Sequence, residues 1–455
     1  MKNGKRSSFS GKLGYVLAAA GASVGLGNIW RFPYLAAKYG GGIFLIIYIV
    51  LALTFGYTMI VAETAIGRMT RKSPVGAFKS FGKKKWLSFG GWINAVIPVL
   101  IVPYYSVIGG WVIKYLVEYF GGNAKLLAED GYFTDFISNG VSTELCFVAF
   151  CAFTLIIIFA GVQNGIERVS KIMMPILIVL SVIIAVYSVT RPGALAGVKY
   201  FLVPNVKNFS WMTVVSAMGQ MFYSLSIAMG ILITFGSYMK KDTAIEDSTR
   251  NVEIFDTGIA IMAGLMIIPA VFAFSGGDPD TLQAGPSLMF ITIPKVFQNM
   301  GFGTVIGIVF FLLVLFAAVT SSIALTESAV STFEDELGWG RKKATVLVGV
   351  IMLALGSLSS LGYGPLAGIK IIGMQFLDLF DFLTNSVMMP IAALLTSLLV
   401  SRVVGIDKIE DEIIHGESAF RRKKVFVVMI KYLCPVFAII ILLSSVANAL
   451  GWIKM

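Results

Sequence analysis

Residues 21–48 read GASVGLGNIWRFPYLAAKYGGGIFLIIY, and residues 223–230 read YSLSIAMG. Each sits in the middle of a long apolar run, and each packs its run with small residues. Glycine lowers helix stability by about 1 kcal/mol relative to alanine, so both are places where a helix is readily interrupted. The plainer reading is that small residues let neighbouring helices approach closely. The residues alone leave both readings open, and the two stretches are the first helices of two successive sets of five. Interrupted helices at matching positions of two halves point to a transporter built from inverted repeats, with its site at the bilayer midplane.

The rest of the chain supports a membrane protein. Of its 455 residues, 57% are hydrophobic and 13% are charged, against roughly 25% charged in a soluble domain. Aromatic and aliphatic residues are abundant, which excludes a disordered chain. Apolar runs long enough to cross a bilayer fall near residues 14–36, 43–66, 88–120, 144–161, 167–190, 213–238, 249–275, 303–333, 345–361, 375–402 and 425–452. These predict an all-α integral membrane protein of about eleven transmembrane helices, with a five-plus-five inverted repeat in which helices 1 and 6 are broken. The whole chain, 1–455, reads as one transporter domain. Repeat one covers about 10–190, repeat two about 210–403, and an extra helix about 425–452. The segment 279–298 is too polar and proline-punctuated to span and is expected as an external loop with short helices.

The net charge of +11 is explained without nucleic acid, because it alternates between loops. With a cytoplasmic N-terminus, about twenty-five of the 36 Lys and Arg fall on the cytoplasmic side and about seven outside, as the positive-inside rule requires. The loop after the second run carries Arg68, Arg71, Lys72, Lys79, Lys83, Lys84 and Lys85. Eleven spans then place the C-terminus outside a multi-pass protein of the cell membrane. The basic, polar start is not a cleavable signal peptide. Cys146, Cys151 and Cys434 lack metal or redox spacing, and His415, the only histidine, lies in the charged loop DKIEDEIIHGESAFRRKK. No His-based triad and no phosphate-binding loop is present, so the chain is not expected to be an enzyme.

Charged side chains inside the spans each cost about 2.5–3.5 kcal/mol at a helix centre and so demand a reason. They are Arg31 beside the first break, Glu63 in span 2, Asp256 in span 7, Glu327 in span 8, and Asp378 and Asp381 in span 10. Glu63 reads as a structural carboxylate that accepts amides freed by the breaks. Asp378 and Asp381 can be explained by a helix end that meets water. Thr320 and Ser321 are adjacent hydroxyls in an apolar helix. They either bond back to their own helix or offer hard oxygen donors to a cation, as Asn28 does after the first break.

The stretch 21–48 closely resembles the first-helix signature of the neurotransmitter:sodium symporter family. GQMFYSLSIAMG (219–230) resembles its sixth-helix break, and AAVTSSIALTESAVSTFEDEL (317–337) its eighth helix. The resemblance runs over essentially the whole chain, in order, and the eleven-helix count matches a bacterial branch of amino acid transporters. It implies two sodium ions. One would be held by carbonyls of Gly21, Val24 and Ala317 with the hydroxyls of Thr320 and Ser321. The other would be held by the Ser23 carbonyl, Asn28, Ser224 and a group from span 7. The substrate carboxylate would complete the second of these, so sodium and amino acid would raise each other's affinity.

The resemblance also implies a substrate site between the breaks. The carboxylate would lie near the amides of Leu26 and Gly27 and the Tyr105 hydroxyl. The side chain would meet Ala22, Ile101, Tyr223, Ser226, Met229, Ser321, Ala324 and Leu325. Tyr223 would cover the site, Arg31 with Asp381 would close above it, and Arg6 with Asp335, assisted by Tyr238, would latch the cytoplasmic side. Gly165 and Pro175 match a spacing that lets the fifth helix unwind, although an ordinary helix start explains them equally. No charge faces the substrate side chain, which predicts a neutral, hydrophobic or aromatic L-amino acid, with small neutral amino acids as the alternative. Animal relatives need chloride near the second of the two sodium sites described above. Here NVEIFDTGIA (251–260) puts Asp256 at the span 7 ligand position when counted from span 6, where its charge would replace chloride, with Tyr48, Gln220 and Ser224 as neighbours. Counted back from Pro269, the register shifts by one residue, about 100° around the helix. An isolated aspartate could also carry a proton. The leading rival to sodium symport is a sodium-independent amino acid exchanger. An intramembrane enzyme lacks a metal site or catalytic cluster, and a sensor lacks a signalling domain. The oligomeric state is not encoded in these features.

Overall fold

The computed structural model describes residues 6–276, 285–449 and 452. The expectations for the first five residues, for 279–284 of the external loop and for the extreme C-terminus, Met455 included, lie outside them.

Among the described residues nine helices are long and apolar enough to cross a membrane: Gly42–Thr70, Lys85–Phe120, Gly140–Phe159, Val162–Val189, Ile245–Ser275, Gly303–Leu337, Arg341–Leu361, Phe376–Val404 and Lys423–Ala449. A tenth is a bent pair, Lys12–Ser23 with Gly27–Lys38, turned by 53° at the break. These correspond to expected spans 2–5, 7–11 and 1, and are called by those numbers below. The expected sixth span is present as Trp211–Ser224 and Ile231–Ser237, two pieces each too short to cross alone, with six residues between them. The expected run near 213–238 is thus cut as GQMFYSLSIAMG suggested, and among the described residues the unbroken crossing helices number nine.

Backbone geometry explains both interruptions. Span 1 stops because Val24 turns extended, with φ −73° and ψ 96°. Span 6 stops because Ser226 and Ala228 take left-handed angles, φ 53° and 59°, followed by Gly230 at 69°. Left-handed angles are rare and costly for residues with a Cβ, so this strain needs support from outside the helix. Glu63 supplies part of it: buried in span 2, its Oε1 accepts the Ala228 amide at 2.8 Å, which is the structural role read from the sequence. Span 3 lies against span 8 and the broken helices lie between spans 2, 7 and 8, so the interruptions are walled in by continuous helices. Irregular backbone at membrane depth is tolerated only in such a place.

Leu288–Gln298 forms the short helix expected after span 7. Phe290 anchors it, stacking on Phe133 at 5.1 Å between ring centres, and its carbonyl accepts the Tyr115 hydroxyl at 2.7 Å. His415 is exposed, while Cys151 and Cys434 are buried as free thiols.

Candidate functional site

The two breaks face one another across a cavity of about 360 Å3 of atom-free space, lined chiefly by span 1, span 6, span 3 and span 8. Ala22, Leu26 and Gly27 come from the first break, Ile101 and Tyr105 from span 3, Tyr223, Ser226 and Met229 from the second break, and Ser321 and Leu325 from span 8. All were expected there. Ala324 is the exception: it is buried but does not reach the cavity wall. Ser321 and Leu325 are four apart and share one helix face, and the single methyl of Ala324 beside them is too short to project past it. The sequence reading missed Gly25, whose absent side chain shapes the floor. A Cβ there would meet Ser321 Oγ at 2.7 Å and the Tyr105 hydroxyl at 3.1 Å. Tyr223 turns the edge of its ring toward Gly27, where a Cβ would stand 2.5 Å from both Cδ1 and Cε1.

The break in span 1 frees amides and carbonyls, and their partners are specific. The Leu26 amide donates to the Tyr105 hydroxyl oxygen at 3.3 Å, and the Gly25 amide to Asn28 Oδ1 at 3.2 Å. The carbonyls of Gly21, Ala22 and Val24 converge on the Ser321 hydroxyl at 3.3, 3.2 and 3.4 Å. The Ser226 hydroxyl also donates to the Ala22 carbonyl, at 3.0 Å, but one Ser321 proton cannot satisfy both Gly21 and Val24. The surplus of lone pairs suits a small hard cation. Thr320 packs on Gly21, and its Oγ1 lies 3.2 Å from the Ala317 carbonyl, where it also serves its own helix. The five groups proposed for this cation thus lie together.

The other candidate site is built around a carboxylate. Asp256 is buried in span 7. Its oxygens accept hydrogen bonds from Asn28 Nδ2 at 2.8 Å, from the Tyr48 hydroxyl at 2.9 Å and from Ser224 Oγ at 2.9 and 3.1 Å. This geometry resolves the register: Asp256 points at Asn28, as counting from span 6 requires, and not 100° away. Among the described residues no Arg, Lys or His pairs with it. Ser23 is buried at the same break with an unpaired hydroxyl, and Gln220 donates to the Gly27 carbonyl at 3.0 Å while its own Oε1 has no partner. An unpaired buried carboxylate is costly, and its neighbours here are neutral oxygen and amide groups.

The ends of the pathway differ. At one end Arg6 binds Asp335 at 2.5 Å, donates to Ser237 Oγ at 2.9 Å and lies over the Tyr238 ring. Burial opposes its charge, but Tyr238, Asp335, Glu327 and Glu334 outweigh that and hold its pKa above the ordinary arginine value. Tyr238 in turn donates to Glu327 at 2.7 Å, and Arg341 grips both Glu327 oxygens at 3.0 and 2.6 Å. The partner of Glu327 was not foreseen. A lone carboxylate in span 8 demanded a cation, and Arg341 opens the very next helix. At the other end Arg31 and Asp381 form no ion pair. Arg31 lies over the Tyr223 ring at 5.3 Å, and Asp381 accepts from Tyr104 at 3.2 Å and Asn385 at 2.5 Å. Asp378 is exposed in the first turn of its helix and meets water as supposed. Gly165 lies in a π-helical turn, Val162–Glu167, at the start of span 5, and Pro175 is inside the helix that follows.

A family model described as the sodium:neurotransmitter symporter family matches residues 6–128 and 133–452. An uncharacterised sodium-dependent transporter of Bacillus subtilis (strain 168) is 34% identical over 98% of this chain and 99% of its own. The human sodium- and chloride-dependent GABA transporter 2 is 27% identical over 90% of this chain and 75% of its own. Among solved structures, that of MhsT in complex with L-phenylalanine superposes with a TM-score of 0.86 at 34% identity, covering 97% of this chain and all of that one. The chain belongs to the sodium:neurotransmitter symporter family and has its fold, and it is a multi-pass integral membrane protein.

Proposed function

We propose that this protein imports a neutral, hydrophobic or aromatic L-amino acid coupled to sodium, by alternating access and without chloride. The observation that carries the reading is the juxtaposition, at two facing helix breaks, of a cavity with two clusters of oxygen donors. Neither cluster contains a basic side chain. In the first, the Gly21 and Val24 carbonyls share one Ser321 proton, the Ala22 carbonyl being served also by Ser226. In the second, Asp256 supplies a fixed negative charge beside Asn28 and Ser224. A sodium ion in each would balance what the protein leaves unbalanced, at two ions per cycle.

The substrate assignment rests on the wall. Met229, Leu325, Ile101 and Ala22 are apolar, Ser226 and Ser321 are neutral, and the first break offers amides and the Tyr105 hydroxyl to a carboxylate. An acidic or basic side chain would find no partner there, and burying a charge unpaired is costly. Met229 is flexible enough to fit several shapes, which favours a range of hydrophobic substrates. The solved relative bound to L-phenylalanine agrees with that choice. Sodium moving inward gains about 2.3 kcal/mol per charge per 100 mV, which supplies the driving force. The positive-inside pattern supports a cytoplasmic N-terminus and an external C-terminus at the cell membrane, and a C-terminal tag should therefore react with an impermeant label on intact cells.

Asp256 makes the chloride claim testable. Asp256→Asn keeps the size and hydrogen-bonding reach of the side chain but removes its charge. The variant should lose sodium-driven uptake in chloride-free buffer, while the wild type is indifferent to chloride. Full activity of the variant without chloride refutes this role for Asp256.

A further inference from the structure

Away from the central cavity, a cleft of about 680 Å3 of atom-free space opens between spans 2, 7 and 11. Its walls divide by chemistry. Arg250, Glu253 and Arg422 lie at the end where span 7 begins and span 11 follows the loop that ends at Arg422. Ile49, Leu53 and Ile254 supply the apolar wall, and Leu53 and Ile254 are exposed on the flank of the bundle. Gly258, one turn farther into span 7, leaves the apolar part open: a Cβ there would meet nothing within 4 Å.

The charges in this cleft are underused. Arg422 rests over the Tyr57 ring at 4.6 Å and gives one N–H to Glu253 Oε2 at 3.3 Å. Arg250 is exposed and makes no hydrogen bond or ion pair among the described residues. A guanidinium carries five N–H donors, so most of those on the two arginines are unfilled. Glu253 is 2% exposed and its other oxygen, Oε1, has no partner. Glu246, just behind, is saturated by the Tyr57 hydroxyl and the amides of Arg421 and Arg422, and it does not line the cleft. The wall therefore presents two positive charges against one negative, a surplus of +1 beside a greasy slot that faces the bilayer.

We propose that this cleft binds an anionic phospholipid, with its phosphodiester on Arg250 and Arg422 and an acyl chain along Ile49, Leu53 and Ile254 past Gly258. A phosphodiester carries a single negative charge, which matches the surplus. Planar guanidinium groups bind phosphate oxygens in pairs. Glu253 acts as a positioning residue that holds Arg422 over Tyr57 and in line with Arg250. The bound lipid then joins the start of span 7 to the start of span 11, on the helix that carries Asp256.

The test is native mass spectrometry of the delipidated full-length protein, titrated separately with phosphatidylglycerol, phosphatidylcholine and inorganic phosphate. The wild type should bind one phosphatidylglycerol in preference to phosphatidylcholine. Arg250→Gln should weaken that binding about fivefold, the worth of one basic residue near an anionic headgroup, and leave phosphatidylcholine unchanged. Gly258→Leu should fill the slot and weaken binding of phosphatidylglycerol with both arginines intact. The proposal is overturned if both variants bind phosphatidylglycerol as the wild type does, if phosphatidylcholine binds as well as phosphatidylglycerol, or if inorganic phosphate displaces the lipid at equal concentration.

Discussion

The two ends of the central pathway hold similar parts in different states. At the Arg6 end, an arginine, an aspartate, a tyrosine and a serine are fully engaged with one another, and a second layer of Glu327 and Arg341 lies behind them. At the Arg31 end, an arginine, an aspartate and a tyrosine are also present, but the arginine stacks on Tyr223 while Asp381 is held by Tyr104 and Asn385. Under the proposed gating both ends carry the means to close, and only the Arg6 end has its ion pair formed. A transporter that exposes one midplane site to two sides in turn needs this asymmetry, because simultaneous closure traps the substrate and simultaneous opening lets it leak. The depth of the polar network also differs. The latched end buries Glu327 completely, and a buried ion pair is expensive to break, so this end is expected to dominate the balance between states.

The largest effect is therefore expected from Glu327→Ala. It removes the Tyr238 acceptor and the main partner of Arg341, which is left with the Ile158 carbonyl at 2.9 Å and Glu334 at 3.9 Å. Losing one partner of a buried pair costs about 3–5 kcal/mol, here toward the lower end. Thermal unfolding in detergent should show a large drop in the midpoint, and a wild-type midpoint would mean that the second layer is decorative. Asp335→Ala should come next. It removes the direct partner of Arg6 and should shift the balance toward the state open at that end by about 1–3 kcal/mol, roughly 5–150-fold. Cysteine accessibility at Ser331, beneath the latch, reports the shift, and unchanged labelling would contradict the assignment. Asp381→Ala should act differently, slowing transport while leaving equilibrium substrate binding within about twofold of the wild type, since the pair is not made in the state described here. Equal losses of binding and transport would place Asp381 in the substrate site and not in a gate. The smallest effect belongs to Ser237→Ala, which removes one neutral acceptor from Arg6 and should cost about 0.5–1.5 kcal/mol, visible as a modest rise in the same labelling rate.

Much of this was legible in the chain because membranes make polarity informative. A charge or a cluster of small residues inside an apolar run is costly enough to mark a site, and that is how Arg31, Glu63, Asp256 and both breaks stood out. What was hidden required three dimensions. Asp256 could be counted into either of two registers, and only its contacts with Asn28, Ser224 and Tyr48 decide between them. Glu327 announced a missing cation without naming Arg341, since the partner lies on the next helix, 14 residues on. Gly25 acts through what it lacks, and a missing side chain leaves no signal that separates it from the other glycines of GASVGLGN. The break in the sixth span was marked by its small residues, but not the residues that make it: Ser226 and Ala228 take the left-handed angles, and such types rarely do. The cleft at Arg250 was invisible because its residues come from three helices, and in sequence the arginines read only as positive-inside charge.

The central claim is that two cation sites without basic residues drive an amino acid through this cavity, with Asp256 in place of an anion. The most direct measurement is uptake of labelled L-phenylalanine into liposomes containing the purified protein, under an inward sodium gradient with all chloride replaced by gluconate. The account predicts accumulation above equilibrium that disappears when external sodium is replaced by choline and is unchanged when chloride is restored. Uptake that persists without sodium, or that requires chloride, would contradict it.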